Sequence, residues 1–413
     1  MMIKYIQCIF LLSMAHAIYS FKITFMPCIP FSHFNALQKI ALDLKKIHPE
    51  YDIEFIVIKP EQYSQELMYA ELEQANIQIH NIVNKHSKYV TANLQDVEIL
   101  LPTLASLTTD TNLIVFDTFT IAAGILGIYK NIPTVGIQLQ STAGNYDTKP
   151  SNQYQKSIRQ IENTYSINIA KYLFKEHKLV PRLSCASPNF NIYHGYPLFI
   201  DPPVNTRMPL GKIYYGINTT PAYIDNNFEF PKINTNQNLI YVSFGSWSGN
   251  KKNHQKTIIS FYDLLVKTFG EKEKYIFIFG NVRNKHELFS DIPSNFYVYE
   301  TKVPQTAILA KADLFITQAG AISIKEGIMA EVPMLAFPLN TTDDQYNGAY
   351  RIETTQIGVN LRNRAYTLTP THIENTISMM LSNQEFYKEN IRKIKQVPPQ
   401  NFAQIIEKII QEL

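Results

Sequence analysis

Between Phe315 and Leu361 the chain reads FITQAGAISIKEGIMAEVPMLAFPLNTTDDQYNGAYRIETTQIGVNL, and few architectures accommodate that order of signals. An apolar run, Leu314–Thr317, passes straight into Gln318-Ala319-Gly320. A helical pattern opens around Ala321 to Ser323, a second short apolar run follows, and a polar loop leads to another helical pattern. Strand, turn, helix and strand in that sequence belong in a parallel sheet. Backbone N–H groups at such a helix start form an anion site, and Gly320 lets a phosphate approach the backbone closely. Glu326, one turn later, can accept hydrogen bonds from vicinal hydroxyls such as those of a ribose. Asp344-Gln345, expected on a loop beside the same pocket, suits a second polyol such as a sugar ring. Phosphate, ribose and sugar binders in this order predict a nucleotide-sugar site.

The same residues resemble the donor-binding signature of the family 1 UDP-glycosyltransferases, roughly T-H-x-G-x-x-S-x-x-E, then V-P-M, then P, then D-Q. Thr317, Gly320, Ser323, Glu326, Val332-Pro333-Met334, Pro338 and Asp344-Gln345 match it. Two positions depart. Gln318 stands where most members have a His that contacts the diphosphate, although the baculovirus ecdysteroid glucosyltransferases are similar there (T-Q-x-G). Gly348 stands where many have Asn. The resemblance implies an α/β protein of the GT-B fold, in which two Rossmann-like doubly wound domains face each other across a cleft. It further implies that the N-terminal domain takes the acceptor and the C-terminal domain the nucleotide sugar.

The rest of the chain is compatible with that implication. A length of 413 residues makes two domains the default. Lys plus Arg number 38 against 35 Asp plus Glu, so the charge balance points to no nucleic-acid partner. Short apolar runs alternate with helical patterns throughout, as βαβ units do. In the first half the expected strands are Lys22–Phe25, Ile53–Ile58, Leu113–Phe116 and Thr134–Ile137. In the second they are Leu239–Phe244, Tyr275–Phe279, Phe296–Tyr299, Leu314–Thr317 and Met334–Phe337. Leu37, Ile40, Ala41, Leu44 and Ile47 form the apolar stripe of a helix after the first strand. Asp225–Asn238, polar and Asn-rich with Pro231, reads as the linker. The expected division is a signal peptide over 1–17, an acceptor domain over 18–225, a linker over 226–238, a UDP-sugar domain over 239–398, and a helix over 399–413 that crosses back to the first domain.

Lys4, the apolar run Ile6 to Met14 and Ala15-His16-Ala17 have the layout of a secretory signal, the alternative being a buried first strand preceded by an apolar helix. The expected location is therefore the secretory pathway, secreted or in the endoplasmic reticulum lumen. No later stretch reaches 18 consecutive apolar residues, so no membrane anchor is expected beyond the signal. Cys28 and Cys185 either pair in that compartment or remain two core thiols. Asn218 and Asn340 begin glycosylation sequons.

Candidate chemistry begins at His33, after the first strand. The family has a His there acting as general base, and an alcohol attacking an anomeric carbon needs such a group to take its proton. Asp117, ending the strand LIVF, is placed to orient the imidazole and to balance its charge. Ser243-Phe244-Gly245-Ser246 resembles the family's S-F-G-S turn at the diphosphate, which assigns Gly245 and Ser246 to the donor. Val303-Pro304-Gln305 resembles the family's P-Q element, where the main chain at the Gln bonds uracil. Trp247 either lines the cleft or packs. Gln318, Gly320, Ser323, Glu326, Asp344 and Gln345 complete the donor set. No D-x-D motif occurs, so no metal and no cofactor are expected, the UDP-sugar being a co-substrate. The reading is an inverting transfer of a hexose, by default glucose, to a hydroxyl of a small hydrophobic acceptor. The alternative is a catalytically impaired UDP-sugar or small-molecule binding protein on the same fold. A nucleotide-sugar epimerase is disfavoured by His33 with Asp117, and a Rossmann dehydrogenase by the lack of G-x-G-x-x-G.

Overall fold

The computed structural model describes residues 20–28, 31–61, 69–84, 94–139, 152–175, 183–200, 211–217, 228–245, 252–280, 282, 291–301, 303–339, 344–361 and 368–413. The signal-like N-terminus, Ser246, Trp247, both sequon asparagines and the Asp344 side chain lie outside the described part.

Two large parallel sheets account for the alternating pattern. The first is built from β1 (Lys22–Met26), β2 (Asp52–Pro60), β3 (Gln78–Asn84), β4 (Leu113–Asp117) and β5 (Thr134–Gln138). After an antiparallel hairpin of β6 (Leu173–Lys175) and β7 (Leu183–Cys185), it continues through β8 (Phe190–His194) and β9 (Lys212–Ile217). The second comprises β10 (Asn238–Ser243), β11 (Tyr275–Phe279), β12 (Phe296–Val298), β13 (Leu314–Thr317), β14 (Met334–Ala336) and β15 (Gly358–Asn360). The last strand, β16 (Gln400–Asn401), returns to pair with β9 at the edge of the first sheet. Strand orders are β16-β9-β8-β5-β4-β1-β2-β3 and β12-β11-β10-β13-β14-β15. In each sheet the order reverses beside the first strand, between β1 and β4 and between β10 and β13. Ligands of doubly wound sheets bind in the crevice opened there, at the carboxyl ends of the strands.

Continuous apolar runs mark the strands buried on both faces, and these are the ones read from sequence. Strands β3, β6, β7, β8, β9, β15 and β16 are not among them. In β3, QIHNIVN, only Asn84 is buried, because the strand lies at an edge and faces water. Strand β15 has three residues, too few to show a period. Leu37, Ile40, Ala41 and Leu44 are fully buried on helix Phe31–Ile47, whereas Ile47, at its end, is half exposed. Two placements are corrected. His33 lies in the first turn of that helix rather than on a loop. Asp344-Gln345 opens helix Asp344–Thr354 rather than sitting in the loop before it. An acidic residue at a helix start is favoured by the macrodipole, and here the helix begins at its acidic residue. No disulfide joins Cys28 and Cys185, which are both buried.

The two halves pack on each other. Tyr193, Tyr196, Phe199 and Ile200 of the first join Leu239, Phe315, Ile324 and Ala349 of the second in one apolar cluster. Arg351 crosses the boundary to donate from Nε to the Phe199 carbonyl at 2.8 Å. Phe228 and Phe230, within the expected linker, also pack against this cluster, Phe228 at 5.1 Å from the Tyr299 ring. Helix Phe402–Glu412 buries Phe402, Ala403, Ile405, Ile406 and Ile409 in the core of the first half. At about 1.5–3 kcal/mol for a large apolar side chain, that burial holds the C-terminus there firmly. Among the described residues no helix is long and apolar enough to cross a membrane.

Candidate active site

At the first crevice, Met26 of β1 is in register with Phe116 of β4, so the chain leaves both strands at one height. Helix Phe31–Ile47 then brings His33 over the end of β4, where Nδ1 lies 2.6 Å from Asp117 Oδ2. The Asp117 carboxylate is fully buried, and the Phe119 backbone N–H donates to its other oxygen at 2.9 Å. An ionised carboxylate only accepts, so His33 Nδ1 carries the proton and Nε2 keeps its lone pair. Phe119 flanks the imidazole, ring centre to ring centre 5.5 Å. The pair is therefore an oriented base backed by a buried negative charge.

The second crevice is built at matching height, Ser243 of β10 being in register with Thr317 of β13. Gly245 follows β10 with φ of +67°, a conformation a side chain resists. Gln318-Ala319-Gly320 follows β13, with Ala319 also left-handed at φ of +64°. Helix Ala321–Met329 starts at Gly320 with no side-chain cap, leaving the backbone N–H groups of its first turn directed at the crevice. Gln318 is buried, with its Nε2 2.6 Å from where a Cβ on Gly245 would stand.

Ser323, Glu326 and Gln305 form one network on the flank of that helix. Tyr241, fully buried on β10, donates to Gln305 Oε1 at 3.0 Å, which leaves Gln305 Nε2 to donate to Glu326 Oε2 and, at 3.5 Å, to Ser323 Oγ. The backbone N–H of Gln305 donates to the Val303 carbonyl at 2.8 Å. Gln345 is buried beside Gln318, and its Nε2 donates to Gln318 Oε1 at 3.2 Å. Sequence reasoning missed Tyr241, since a tyrosine inside a buried strand looks like packing. It also missed the Phe119 amide, a backbone group with no sequence signal.

Charged groups link the crevices. Lys325, buried on helix Ala321–Met329, reaches the Leu139 carbonyl at the end of β5 at 3.3 Å. Burial holds the Lys39 ammonium, on the His33 helix, below its ordinary pKa, while Asp43, Glu326 and Glu71 pull it back up. Burial also holds the His194 imidazole well below its ordinary pKa, with the Lys325 ammonium adding like-charge repulsion. Among the described residues no group of three or more His, Cys, Asp and Glu is placed to hold a metal ion.

Residues 248–409 match the model of the glycosyltransferase family 28 C-terminal domain. The whole fold resembles a glycotransferase of kitacinnamycin, with a TM-score of 0.68 over 95% of this chain and 99% of that one, at 15% identity. The chain has the GT-B fold. Relatives by sequence carry names of UDP-sugar transferases. An uncharacterised UDP-glucosyltransferase YojK of Bacillus subtilis is 27% identical over 184 residues, 45% of this chain and 42% of that protein. UDP-glucuronosyltransferase 1A8 of Rattus norvegicus is 38% identical over 94 residues, 22% of this chain and 17% of that protein. The matched stretch thus spans less than half the length of either relative. In this GT-B fold His33 and Asp117 sit at the switch point of one domain. Gly245, Gln305, Gln318, Gly320, Ser323, Glu326 and Gln345 surround that of the other.

Proposed function

We propose that the protein is an inverting UDP-sugar-dependent glycosyltransferase that moves a hexose, by default glucose, to a hydroxyl of a small hydrophobic acceptor. The observation that carries this reading is the oriented His33–Asp117 pair at one crevice, with an uncapped helix start and Gly245 turn at the other. His33 Nε2 takes the proton of the acceptor hydroxyl. The acceptor oxygen bonds to the anomeric carbon from the face opposite UDP, and UDP departs with the electron pair of the broken C–O bond. A single displacement of this kind inverts the anomeric centre. Asp117 balances the imidazolium, as a buried carboxylate does for a histidine base. The charge on the leaving diphosphate is met by backbone N–H groups and the helix dipole. Glu326, held by Gln305, accepts from the ribose hydroxyls. Asp344 is assigned to the sugar and Ser246 to the diphosphate by their match to the family pattern alone. Galactose and glucuronic acid are the competing sugars. An apolar acceptor accords with the Phe119 ring beside the base.

UDP release, measured with UDP-glucose, UDP-galactose and UDP-glucuronic acid against a panel of hydrophobic alcohols, tests this. Acceptor-dependent release is expected with at least one pair. A protein that binds UDP-glucose yet transfers to no alcohol is the binding protein of the alternative reading. The proposal also includes secretion, with residues 1–17 removed. N-terminal sequencing of exported protein should start near Ile18, and an intact Met1 on a cytosolic pool would end that part.

A further inference from the structure

The Gln345 carboxamide has its orientation dictated by the backbone. The Leu339 N–H can only donate, and it does so to Gln345 Oε1 at 3.0 Å. Gln345 Nε2 must then face the other way, where it donates to Gln318 Oε1 at 3.2 Å. That bond in turn decides which end of Gln318 faces the crevice. Its Nε2 points at the Gly245 turn and the start of helix Ala321–Met329, 2.6 Å from a Cβ built on Gly245 and 3.6 Å from one built on Gly320. Both side chains are buried, 4% and 8% exposed, so neither amide turns over without breaking bonds that water does not replace.

We propose that Gln345 is a positioning residue. Together with the Leu339 amide it locks Gln318 with its N–H groups toward the bound diphosphate. This inference rests on the nucleotide-sugar reading above and deepens it. Gln318 becomes a neutral donor that adds to the backbone N–H groups of the helix start and presents no acceptor lone pair to the anion. Gln345, which the D-Q pattern assigned to the sugar, acts here through another side chain. Neither amide titrates, so the donor is present at every pH at which the protein is folded.

Gln345→Glu is the informative change. When ionised, the new carboxylate can still accept from Leu339, but its second oxygen cannot donate. Gln318 then turns its Nε2 to that carboxylate and its Oε1 to the diphosphate. UDP-glucose and UDP should both bind roughly ten- to hundredfold more weakly at pH 8, the usual worth of a hydrogen bond to a charged group. Affinity for UDP-glucose should recover as the pH falls toward 5, because the protonated carboxyl donates to Gln318 again, while the wild type stays flat. In a Gln318→Met background, Gln345→Glu should cost nothing further, since the group it turns is gone. Calorimetry on the four proteins, each checked by thermal melting, reads all of this. If Gln345→Glu does not fold, Gln345→Met replaces it. That variant should weaken UDP binding in the wild-type background and leave it unchanged beside Gln318→Met. Unchanged UDP affinity in the single variant overturns the proposal, as does an equal loss in the Gln318→Met background, which marks direct repulsion by the introduced charge. Loss confined to UDP-glucose, with UDP unaffected, makes Gln345 a sugar ligand instead. A wild type that binds neither nucleotide removes the nucleotide-sugar reading itself, and this proposal with it.

Discussion

At the scale of single residues, the proposed function divides its labour most clearly between a base and the carboxylate behind it. His33 belongs to the first half and the nucleotide crevice to the second, so removing the imidazole should leave donor binding nearly untouched. His33→Ala is expected to lower glycosyl transfer by roughly 10²–10⁴-fold, the worth of a positioned general base. Asp117→Asn keeps His33 and its surroundings but offers a neutral amide to Nδ1. The Phe119 N–H already fixes one oxygen position at 2.9 Å, so the amide nitrogen would face the ring and favour the wrong tautomer. A smaller loss than in His33→Ala is expected. Initial rates and UDP calorimetry on both variants check this, and a His33→Ala protein with unaltered transfer would falsify the role of the base. Asp117 stands out in the sequence because it ends an apolar run, the place chemistry occupies in a doubly wound sheet, whereas His33, inside the first turn of the following helix, is singled out only by the family resemblance. The polar groups behind the two crevices were not legible. The Phe119 amide is a backbone group, and at the other crevice the Tyr241 hydroxyl, which donates to Gln305, hides in a strand of mostly apolar residues.

Among elements, legibility followed burial. The central strands β1, β2, β4, β10, β11 and β13 are continuous apolar runs because both faces are covered, and no other element of that length looks the same. The edge strand β3 alternates and the edge strand β15 is too short, while β8 and β9, inside the first sheet, interrupt their apolar residues with polar ones, and all four passed unseen. The helix Asp344–Thr354 shows a different limit. Gly348 departs from the family's common Asn, and sequence alone assigns no cause. In the structure a Cβ at 348 would lie 2.4 Å from the Ala319 carbonyl oxygen and 2.7 Å from Ile324 Cδ1. This helix therefore packs directly on the turn that carries Gln318, and the missing side chain is what permits the approach. Helix propensity alone predicts that Gly348→Ala stabilises by about 1 kcal/mol. Crowding a backbone carbonyl costs roughly 1–3 kcal/mol. The contact should win, and Gly348→Ala is expected to lose about 1 kcal/mol while weakening UDP binding, because the turn must shift. Urea denaturation paired with calorimetry decides. A more stable variant with full UDP affinity would mean that the helix moves away at no cost to the cradle.

Across the whole molecule, two apolar junctions among the described residues tie the halves together. One crossing is the apolar cluster joining the Tyr193–Ile200 region to the second sheet, and the other is the return of Phe402–Glu412 to the first core. His194 lies where these meet. It ends β8, is 5% exposed, packs on the Phe402 ring at 5.1 Å, and its Nδ1 has no hydrogen-bond partner among the described residues. Burial first, then the Lys325 charge, hold it well below its ordinary pKa. The sign of the consequence follows from linkage. In the unfolded chain His194 takes up a proton as the pH falls through about 6.5, whereas in the folded protein it stays neutral. The unfolded state therefore binds more protons below that pH, and stability is full above about 6.5 and falls beneath it. The slope from this one group approaches about 1.4 kcal/mol per pH unit. Carboxylates held low in the fold, such as Glu331 bonded to Lys395 and Arg392, add their own loss only below roughly pH 4.5, so the two windows separate. His194→Phe keeps an aromatic ring against Phe402 and removes the titration. Urea unfolding at about pH 7.5, 6 and 5 should show the wild type weakening across the series and His194→Phe weakening less. Parallel pH profiles for the two proteins would mean that His194 is protonated as readily in the fold as out of it, and that the junction between the halves opens to water.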